Sequence, residues 1–325
     1  MRRGINHALA AAAALAAWVA LSVSPALAQS WPQRPVKFVV PLGPGAGADL
    51  GARLLGDRLS KRWGQSVVVE NRPGGDGTIG ITAVLNARDD HTMMFGPSSA
   101  FVAAPYLHAK LPYNQADLLP VARFSVTLVA VAAPASLNVR TLKDLMDLAR
   151  TGSGKVNWAT ATGVTDFLVA GYAKKAGLDM PKVPYRDTVQ AVNDLGEGRI
   201  QMYIAALAII LPQVQAGRIK LLAMTNVERA SIVPEVPTVA EAGFPELEFD
   251  GLTGLFAARG SMPDDLRQRI VADVKAAVDD EITRRLAATG QLVRPGGEAE
   301  FAASIKAQAD KVAAVAQVLG IQAPR

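Results

Sequence analysis

The 325-residue chain contains no cysteine and only three histidines, one of which, His7, lies near the N-terminus. The missing cysteines exclude disulfide bonds, thiol nucleophiles and cysteine-ligated metal sites. The sequence also lacks the G-x-S-x-G pattern of serine hydrolases and the H-E-x-x-H pattern of zinc proteases. These absences argue against covalent and metal-dependent chemistry, and we expect no enzyme activity and no cofactor.

The first 28 residues have the pattern of a cleaved signal peptide. Arg2 and Arg3 precede an apolar stretch at residues 8–23, and Ala-Leu-Ala at 26–28 is a small-x-small cleavage site. A transmembrane anchor is the alternative, but it would need about 20 apolar residues, and this stretch is shorter. The pattern therefore predicts cleavage after Ala28 and a mature protein outside the cytoplasm.

Loss of this segment would lower the formal net charge from +5 to +3, because Arg2 and Arg3 would leave with it. The remaining basic residues form no cluster, so the sequence does not indicate a nucleic-acid partner. A weak positive charge would suit a small anionic ligand, although it is equally ordinary for a soluble protein. Beyond the signal segment the longest apolar run, residues 204–211, is too short to span a bilayer.

Apolar strands alternate with amphipathic helices over most of the chain, which predicts an α/β protein with parallel sheets. Thr141 with Asp144, and Ser261 with Asp264, have the spacing of capping boxes. After Ser261 the pattern is purely helical. The predicted strands are 36–40, 67–70, 93–95, 126–132, 157–160, 200–204, 220–224 and 249–256, and the predicted helices between them are 49–63, 78–88, 141–151, 166–176 and 189–197.

The most distinctive segment is residues 36–49, with the sequence VKFVVPLGPGAGAD. An apolar strand stops at Pro41, and Gly43, Gly45 and Gly47 follow before an amphipathic helix begins. A strand, a glycine turn and a helix start together present bare backbone N–H groups, to which an anion can bind.

Two other interpretations of this turn remain open. Gly43, Gly45 and Ala48 fit the G-x-G-x-x-A pattern of dinucleotide-binding proteins, with Glu70 where a ribose-binding acid would lie. The glycines could also serve only to permit a tight turn. Anion binding is favoured, because an exported protein meets little nicotinamide cofactor and because the prolines of the turn, such as Pro44, stiffen it.

Three more loops offer amides or hydroxyl groups to an anion. Arg72 could hold a carboxylate, but pairing with Glu70 or Asp76 is the favoured interpretation. N-capping by Thr165 or Asp166 explains another loop as well as ligand binding does. Loops of this kind meet at the carboxyl ends of strands, where open α/β sheets bind ligands. The three loops are residues 70–78, 96–99 and 160–166.

Several segments together resemble the periplasmic solute-binding proteins of tripartite tricarboxylate transporters, the Bug family. E-N-R-P-G at 70–74 and V-P-T-V-A-E-A-G at 236–243 are the most specific, and the similarity covers essentially the whole chain after the signal segment. Further matching segments are 31–35, 39–49, 111–113, 183–185 and 211–212 with Gly217.

The resemblance implies an α/β, two-lobed periplasmic-binding-protein fold of the type II (flytrap) class, with a mainly parallel sheet in each lobe. Lobe 1 would comprise residues 29–125 and 226–325, lobe 2 would comprise 126–225, and two crossing segments would join them. The implied function is a periplasmic receptor that captures a small organic acid or amino-acid-like ligand and delivers it to the membrane subunits of a tripartite transporter. Two alternatives are a ligand sensor that feeds a signalling partner and a periplasmic enzyme on the same fold.

The resemblance also implies that backbone amides of both lobes hold the ligand carboxylate. Lobe 1 would contribute Pro41, Leu42, Gly43, Gly45, Ala46, Gly47, Asp49, Ser98, Ser99 and Ala100. Lobe 2 would contribute Thr160, Thr162, Thr165, Asp166, Ala205, Ala206 and Leu207.

Several of these positions depart from the pattern that is usual in the family. Leu42 stands where Phe is common, Ala46 replaces a usual Gly, and Asp166 stands where Ser is typical. Ala205 and Ala206 replace a typical Asp-Ser pair, so two polar contacts would be lost. We therefore expect a monocarboxylate with an apolar or aromatic body rather than citrate.

Overall fold

The computed structural model describes residues 31–108, 110–161, 163–185 and 187–321. The predicted signal peptide and its cleavage site lie outside these residues. The strands are β1 (Val36–Val40), β2 (Val67–Asn71), β3 (Thr92–Pro97), β4 (Leu118–Thr127), β5 (Val129–Pro134), β6 (Trp158–Thr160), β7 (Met202–Ala206), β8 (Ile219–Met224), β9 (Gly251–Ala258) and β10 (Gln291–Gly296).

The helices lie between and around these strands, with short 3-10 turns at Gly75–Gly77, Gln115–Asp117 and Pro245–Leu247. They are α1 (Gly47–Trp63), α2 (Thr78–Ala87), α3 (Ser99–Val102), α4 (Ala104–Leu107), α5 (Leu142–Arg150), α6 (Gly163–Lys175), α7 (Thr188–Gly196), α8 (Leu207–Gln215), α9 (Asp264–Ala277), α10 (Asp280–Ala287) and α11 (Glu298–Leu319). No helix in this described part of the chain has the length and apolarity needed to cross a membrane.

The strands form two sheets, of order β10-β4-β9-β3-β1-β2 and β6-β7-β5-β8. The α/β class is confirmed, but the expectation of mainly parallel sheets is wrong. Only β1 with β2, β1 with β3 and β6 with β7 are parallel pairs, and the other neighbours are antiparallel. Strand–helix alternation predicts parallel pairing only within each strand–helix–strand unit. Strands β9 and β10 run opposite to the rest of the six-stranded sheet, and β5 runs opposite to the rest of the four-stranded sheet.

An aromatic stack anchors the strand that leads into the glycine turn. The Phe38 and Phe95 rings lie 6.0 Å apart, and Phe124 meets Phe95 edge-on at 5.5 Å. All three rings are fully buried between the six-stranded sheet and the helices that cover it. Because β1 and β3 are fixed by this stack, the loops at their carboxyl ends begin from rigid positions.

The chain first passes between the sheets at Leu128, where the predicted strand 126–132 is in fact two strands. The side chain of Asn226 binds this crossing: its Oδ1 accepts from the Val129 N–H at 2.9 Å, and its Nδ2 donates to the Thr127 carbonyl at 3.0 Å. Nδ2 also donates to Asp250 Oδ1, at 2.9 Å. One carboxamide therefore ties together both passages between the sheets.

The chain between β8 and β9 first packs against the four-stranded sheet. Ala230, Val233 and Val236 are buried in the same apolar cluster as strands β5, β7 and β8. Thr238 then forms a parallel bridge with Met224, the last residue of β8. The second passage between the sheets therefore lies after this bridge.

Other local predictions had mixed outcomes. The Thr141 capping box is confirmed, with the Asp144 N–H donating to Thr141 Oγ1 at 3.1 Å. The predicted Ser261 cap is wrong, because helix α9 begins after Pro263 and has no side-chain cap. The purely helical pattern after Ser261 is also wrong, since β10 lies within it.

Candidate functional site

Three helices begin where strands of the two sheets end. Helix α1 follows β1, helix α6 follows β6, and helix α8 follows β7 directly. Ala46 and Ala206 are the N-cap residues of α1 and α8, and neither helix start has a side-chain cap. Because a methyl group accepts no hydrogen bond, neither N-cap side chain satisfies a first-turn N–H group. The Leu207 N–H of α8 donates to the Leu128 carbonyl, and the other first-turn N–H groups are left for another acceptor.

A single short segment contacts the starts of both α1 and α8. A Cβ placed on Gly290 would lie 3.1 Å from the backbone nitrogen of Ala208, in the first turn of α8. A Cβ placed on Gly47, the first residue of α1, would overlap Gln291 Nε2. The fold therefore brings together two uncapped helix starts that belong to different sheets.

The start of α6 meets the six-stranded side at a second place. A Cβ placed on Gly163 would lie 2.7 Å from Leu107 Cδ1, and the Tyr106 and Phe167 rings pack edge-on at 5.8 Å. These contacts set the loop after β6 beside the short helices that follow β3. The structure therefore sets the loop after β6 beside the loop after β3, and the helix starts after β1 and β7 both contact the segment Gly290–Gln291.

Asp49 holds the glycine turn in shape. This residue is 4% exposed, and its Oδ2 accepts from the Gly45 N–H at 2.9 Å. Its Oδ1 accepts from Asn71 Nδ2 at 2.9 Å, and the same Nδ2 donates to the Leu42 carbonyl at 3.0 Å. Arg53 completes the set, with Nε 3.2 Å from Oδ2 and a terminal nitrogen 3.0 Å from Oδ1. The Asp49 carboxylate therefore makes its hydrogen bonds to the turn and to the residues around it. Asp49 is a positioning residue, because it holds the backbone of the glycine turn.

These contacts keep Asp49 ionised. Burial acts to raise its pKa, but the hydrogen bonds from Arg53, Gly45 and Asn71 outweigh burial and hold the pKa below its usual value. The start of α1 favours a negative charge in its first turn as well. The negative charge of Asp49 and the positive charge of Arg53 cancel. The backbone N–H groups on the outer side of the turn are therefore the groups that would attract an anion.

The hydroxyl group predicted after β3 also has an internal partner. Ser98 is fully buried, and its Oγ donates to Gln308 Oε1 at 3.1 Å. Gln308 Nε2 in turn donates to the Asp250 carbonyl at 2.5 Å. Ser99 begins helix α3 and is half-buried, and Ala100 is the next residue of that helix.

On the four-stranded side, Asp166 is bound from two directions. Thr160 Oγ1 donates to Asp166 Oδ1 at 2.5 Å, and Lys182 Nζ lies 2.7 Å from Oδ2. The Asp166 side chain is 27% exposed, and Thr165 beside it is buried. Thr162 lies outside the described residues.

The two alanines at the end of β7 differ in burial. Ala205 is buried in the apolar core of the four-stranded sheet, and Leu207 is buried in the same cluster. Ala206 is half-buried at the helix start. Of the two positions at which the sequence predicted a lost polar contact, only Ala206 has a partly exposed side chain.

Sequence reasoning missed the residues that hold the turn. Asn71 was recognised only as part of the E-N-R-P-G motif, although its position at the end of a strand could have indicated a contact with a neighbouring loop. Arg53 lies one helical turn after Asp49 and was the easier residue to find. Gln291 lies far along the chain in an unpredicted strand and gave no local signal.

The other charged features of the predicted loops have structural partners. Arg72 Nε lies 2.5 Å from Glu70 Oε1, which confirms the predicted pairing, and Lys37 binds the same carboxylate. His108 Nε2 lies 3.0 Å from Asp76 Oδ2, an acid that the sequence did not single out as its partner. Within the described ranges no group of three His, Cys, Asp or Glu side chains is arranged to hold a metal ion.

The chain is similar to a known protein family and to several known proteins. The family described as "Tripartite tricarboxylate transporter family receptor" matches residues 51–321. A protein of Bordetella bronchiseptica, named as a UPF0065 protein, is 33% identical over 296 residues, which is 89% of this chain and 87% of that protein.

Two solved structures extend the comparison to proteins with bound acids. R. palustris Rpa4515 with adipate is 28% identical, covers 91% of this chain and 100% of its own, and superposes with a TM-score of 0.75. MatC from Rhodopseudomonas palustris with bound malate is 28% identical, covers 89% of this chain and 99% of its own, and has a TM-score of 0.69.

Proposed function

The chain belongs to the tripartite tricarboxylate transporter receptor family, and we propose that it captures a small carboxylate between its two sheets in the periplasm and delivers it to the membrane subunits of such a transporter. The observation that carries this proposal is the meeting of two uncapped helix starts, those of α1 and α8, on the segment Gly290–Gln291. Backbone N–H groups at helix starts are natural partners for a carboxylate.

The proposed cycle needs no covalent step. A carboxylate that accepts hydrogen bonds from both helix starts binds the closed arrangement better than an open one, and this difference in affinity shifts the population toward closure. The hydroxyls of Ser98 and Thr160 support a binding role, because they donate to Gln308 and Asp166 rather than to a histidine base. We therefore propose a receptor and not an enzyme.

The predicted lobes remain part of the proposal: residues 29–125 with 226–325 as lobe 1, and 126–225 as lobe 2. The two sheets and the passage at Leu128 support this division. The packing of Ala230, Val233 and Val236 on the four-stranded sheet favours a second passage somewhat later than residue 226.

For the ligand we propose an acid whose body is largely apolar. Ala206 offers a methyl group at the start of α8, where a hydroxyl would bind a second polar group of the ligand. Leu42 adds an apolar side chain on the opposite side, and it is half-buried. The related structures with adipate and malate support a carboxylate ligand in general. The proposal for the rest of the ligand rests on this chain's own residues.

A thermal-shift panel tests the carboxylate proposal. Benzoate, nicotinate, adipate, malate and citrate are compared at equal concentration, with neutral benzamide as the matched control for benzoate. A ligand at about 100 times its Kd stabilises the folded state by about 2.7 kcal/mol. We expect benzoate or nicotinate to give the largest shift and benzamide to give none. A panel in which no acid stabilises the protein would contradict the proposal.

The transport role needs a separate measurement. Uptake of the best acid is compared between the parent strain and a strain that lacks this protein. Loss of uptake supports delivery to a transporter, whereas unchanged uptake with altered expression of other genes would support a sensor. NMR of the acid after long incubation with the protein would detect turnover, which would contradict a receptor without catalysis.

A further inference from the structure

We infer that Gln291 donates a side-chain hydrogen bond to the bound carboxylate and so adds a specific amide contact to the helix starts. This inference rests on the proposed function, since it assigns a further residue to the same site. It concerns a residue of β10 that is distant in sequence from every predicted site residue.

The carboxamide of Gln291 is held in a fixed orientation. The residue is 5% exposed, and its Oε1 accepts from Ser125 Oγ at 2.7 Å. Ser125 is itself buried in β4, which is the strand next to β10 in the sheet. Because a buried acceptor oxygen is tied to the strand beside it, the amide nitrogen must point the other way.

The amide nitrogen points to the start of α1. Nε2 lies where the side chain of Gly47 would be, so that a Cβ placed there would overlap it. Nε2 donates to no acceptor in the described part of the chain, and it is not one of the fully buried polar atoms that lack a partner. The Gln291 side chain is therefore almost completely buried, and the donor that it leaves without an acceptor, Nε2, lies at the uncapped start of α1.

The neighbouring residue brings the second helix start to the same place. Gly290 has a φ of +67° and lies against the backbone nitrogen of Ala208 in α8. Its carbonyl accepts from the Leu128 N–H at 2.8 Å, and the Leu128 carbonyl accepts from the Leu207 N–H at 2.8 Å. Gln291 thus lies between the two helix starts, where one carboxylate could accept from both and from Nε2.

The chemistry of this position favours an anion over a neutral or cationic group. An amide N–H that donates to a carboxylate makes a charge-assisted hydrogen bond. The neighbouring helix starts add a positive electrostatic potential, which also favours an anion. A negative charge at position 291 would repel the ligand instead. The two isosteric side chains Gln and Glu therefore have opposite expected effects.

The primary experiment is calorimetric titration of the wild type, Gln291→Leu and Gln291→Glu with each acid of the panel. We expect Gln291→Leu to weaken the best acid by about 10-fold and Gln291→Glu by about 100-fold or more. Gln215→Glu is the charge-matched control, because Gln215 is exposed and is the last residue of α8, and it should bind as the wild type does. Circular dichroism and melting curves establish that each variant is folded.

A double-mutant cycle tests whether Gly47 acts through Gln291. Gly47→Ala would displace the amide, because its Cβ would overlap Nε2, which is the free end of a flexible side chain. We expect Gly47→Ala to weaken binding in the wild type and to have little further effect in Gln291→Leu. Fully additive losses would overturn the inference.

The outcomes separate this inference from the proposed function. If the wild type binds an acid and Gln291→Leu binds it equally well, the inference fails and the receptor proposal stands. If Gln291→Glu raises the melting temperature and leaves affinity unchanged, position 291 caps α1 as an acceptor and the inference also fails. If the wild type binds none of the acids, both proposals fail.

Discussion

The two sides of the site each place an aspartate in the first turn of a helix and pair it with a cation, yet the two acids differ in what they do. Asp49, in α1, is almost fully buried and binds the Gly45 amide, Asn71 and Arg53. Asp166, in α6, is partly exposed and binds Thr160 and Lys182. Asp49 shapes the glycine turn, whereas Asp166 remains partly exposed beside Lys182.

This difference shows how an acid can occur in an anion site. A carboxylate repels an anionic ligand unless its charge is compensated, and a buried carboxylate with several donors has little effect outside its own turn. The negative charge of Asp49 is compensated by Arg53 and by neighbouring amide groups. At Asp166 the compensating cation, Lys182, is itself part of an exposed pair, so removal of either member changes the local charge.

Among changes to the two aspartates and the helix starts, the largest effect is expected from Asp49→Ala. Three donors would lose their acceptor. Their residues are exposed or partly exposed, so water can replace the carboxylate, and each lost hydrogen bond should cost about 0.5–1.5 kcal/mol. The turn at Gly45 would lose its shape, so we expect at least a 10-fold loss of carboxylate affinity together with a lower melting temperature. Asp57→Ala on the exposed face of the same helix is the control, and both quantities should stay near the wild type. Unchanged affinity in Asp49→Ala would mean that the turn does not form the site.

The pH dependence of stability gives a second measure of Asp49. Its pKa is lowered in the folded state, so its contribution is complete above the unfolded pKa of about 3.9 and is lost as the pH falls through the folded pKa. The difference in unfolding free energy between the wild type and Asp49→Asn should therefore be constant near neutral pH and shrink below about pH 4. Urea unfolding from pH 7 to pH 3 measures it, and a gap that grows with acid would be the wrong sign.

A serine at the uncapped helix starts should have an intermediate effect. In Ala206→Ser the hydroxyl would accept a first-turn N–H of α8, stabilise the empty protein by about 0.5–2 kcal/mol and compete with the carboxylate. We expect a higher melting temperature and several-fold weaker binding, and Ala46→Ser should act likewise on α1. Ala216→Ser, at the exposed C-terminal end of α8, should leave binding unchanged. Tighter binding of benzoate by Ala206→Ser would argue that the ligand carries a polar group there.

The smallest effect, and one of opposite sign, is expected from Asp166→Asn. The amide can keep a hydrogen bond with Thr160, and the lost ion pair with Lys182 is partly exposed, so stability should change by less than about 1 kcal/mol. The local charge becomes more positive, and benzoate should bind about two- to five-fold more tightly. Lys182→Met should weaken binding by a similar factor. Equal losses in both variants would show that the pair acts only as a structural unit.

The sequence predicts the part of the site that local patterns encode. Strand β1 is predicted with its observed bounds, and helix α1 begins two residues before its predicted start. The glycine turn between them is also predictable, because Gly45 has a φ of +85°, a conformation that favours glycine. These features depend on nearest neighbours in the chain, so a single sequence is enough to find them.

The rest of the site depends on partners that are far apart in sequence. Strand β10, with the sequence QLVRPG, has few strand-forming residues and becomes a strand because Gln291 pairs with Thr127 of β4. The amide of Gln291 is oriented by Ser125, and the carboxylate of Asp49 by Asn71. No periodicity or motif contains such pairs, because they exist only once the sheets have formed.

The two contacts between the helix starts have a consequence for the dimensions of the solute. At one edge Gly290 places bare backbone against Ala208, and at the other edge Leu107 lies against Gly163. If the solute binds between these edges, as proposed, its length is limited by them. Because Gly290 has a φ of +67°, Gly290→Ala would strain the backbone as well as press on Ala208. A change in the preferred acid in that variant would show how closely this edge limits the solute.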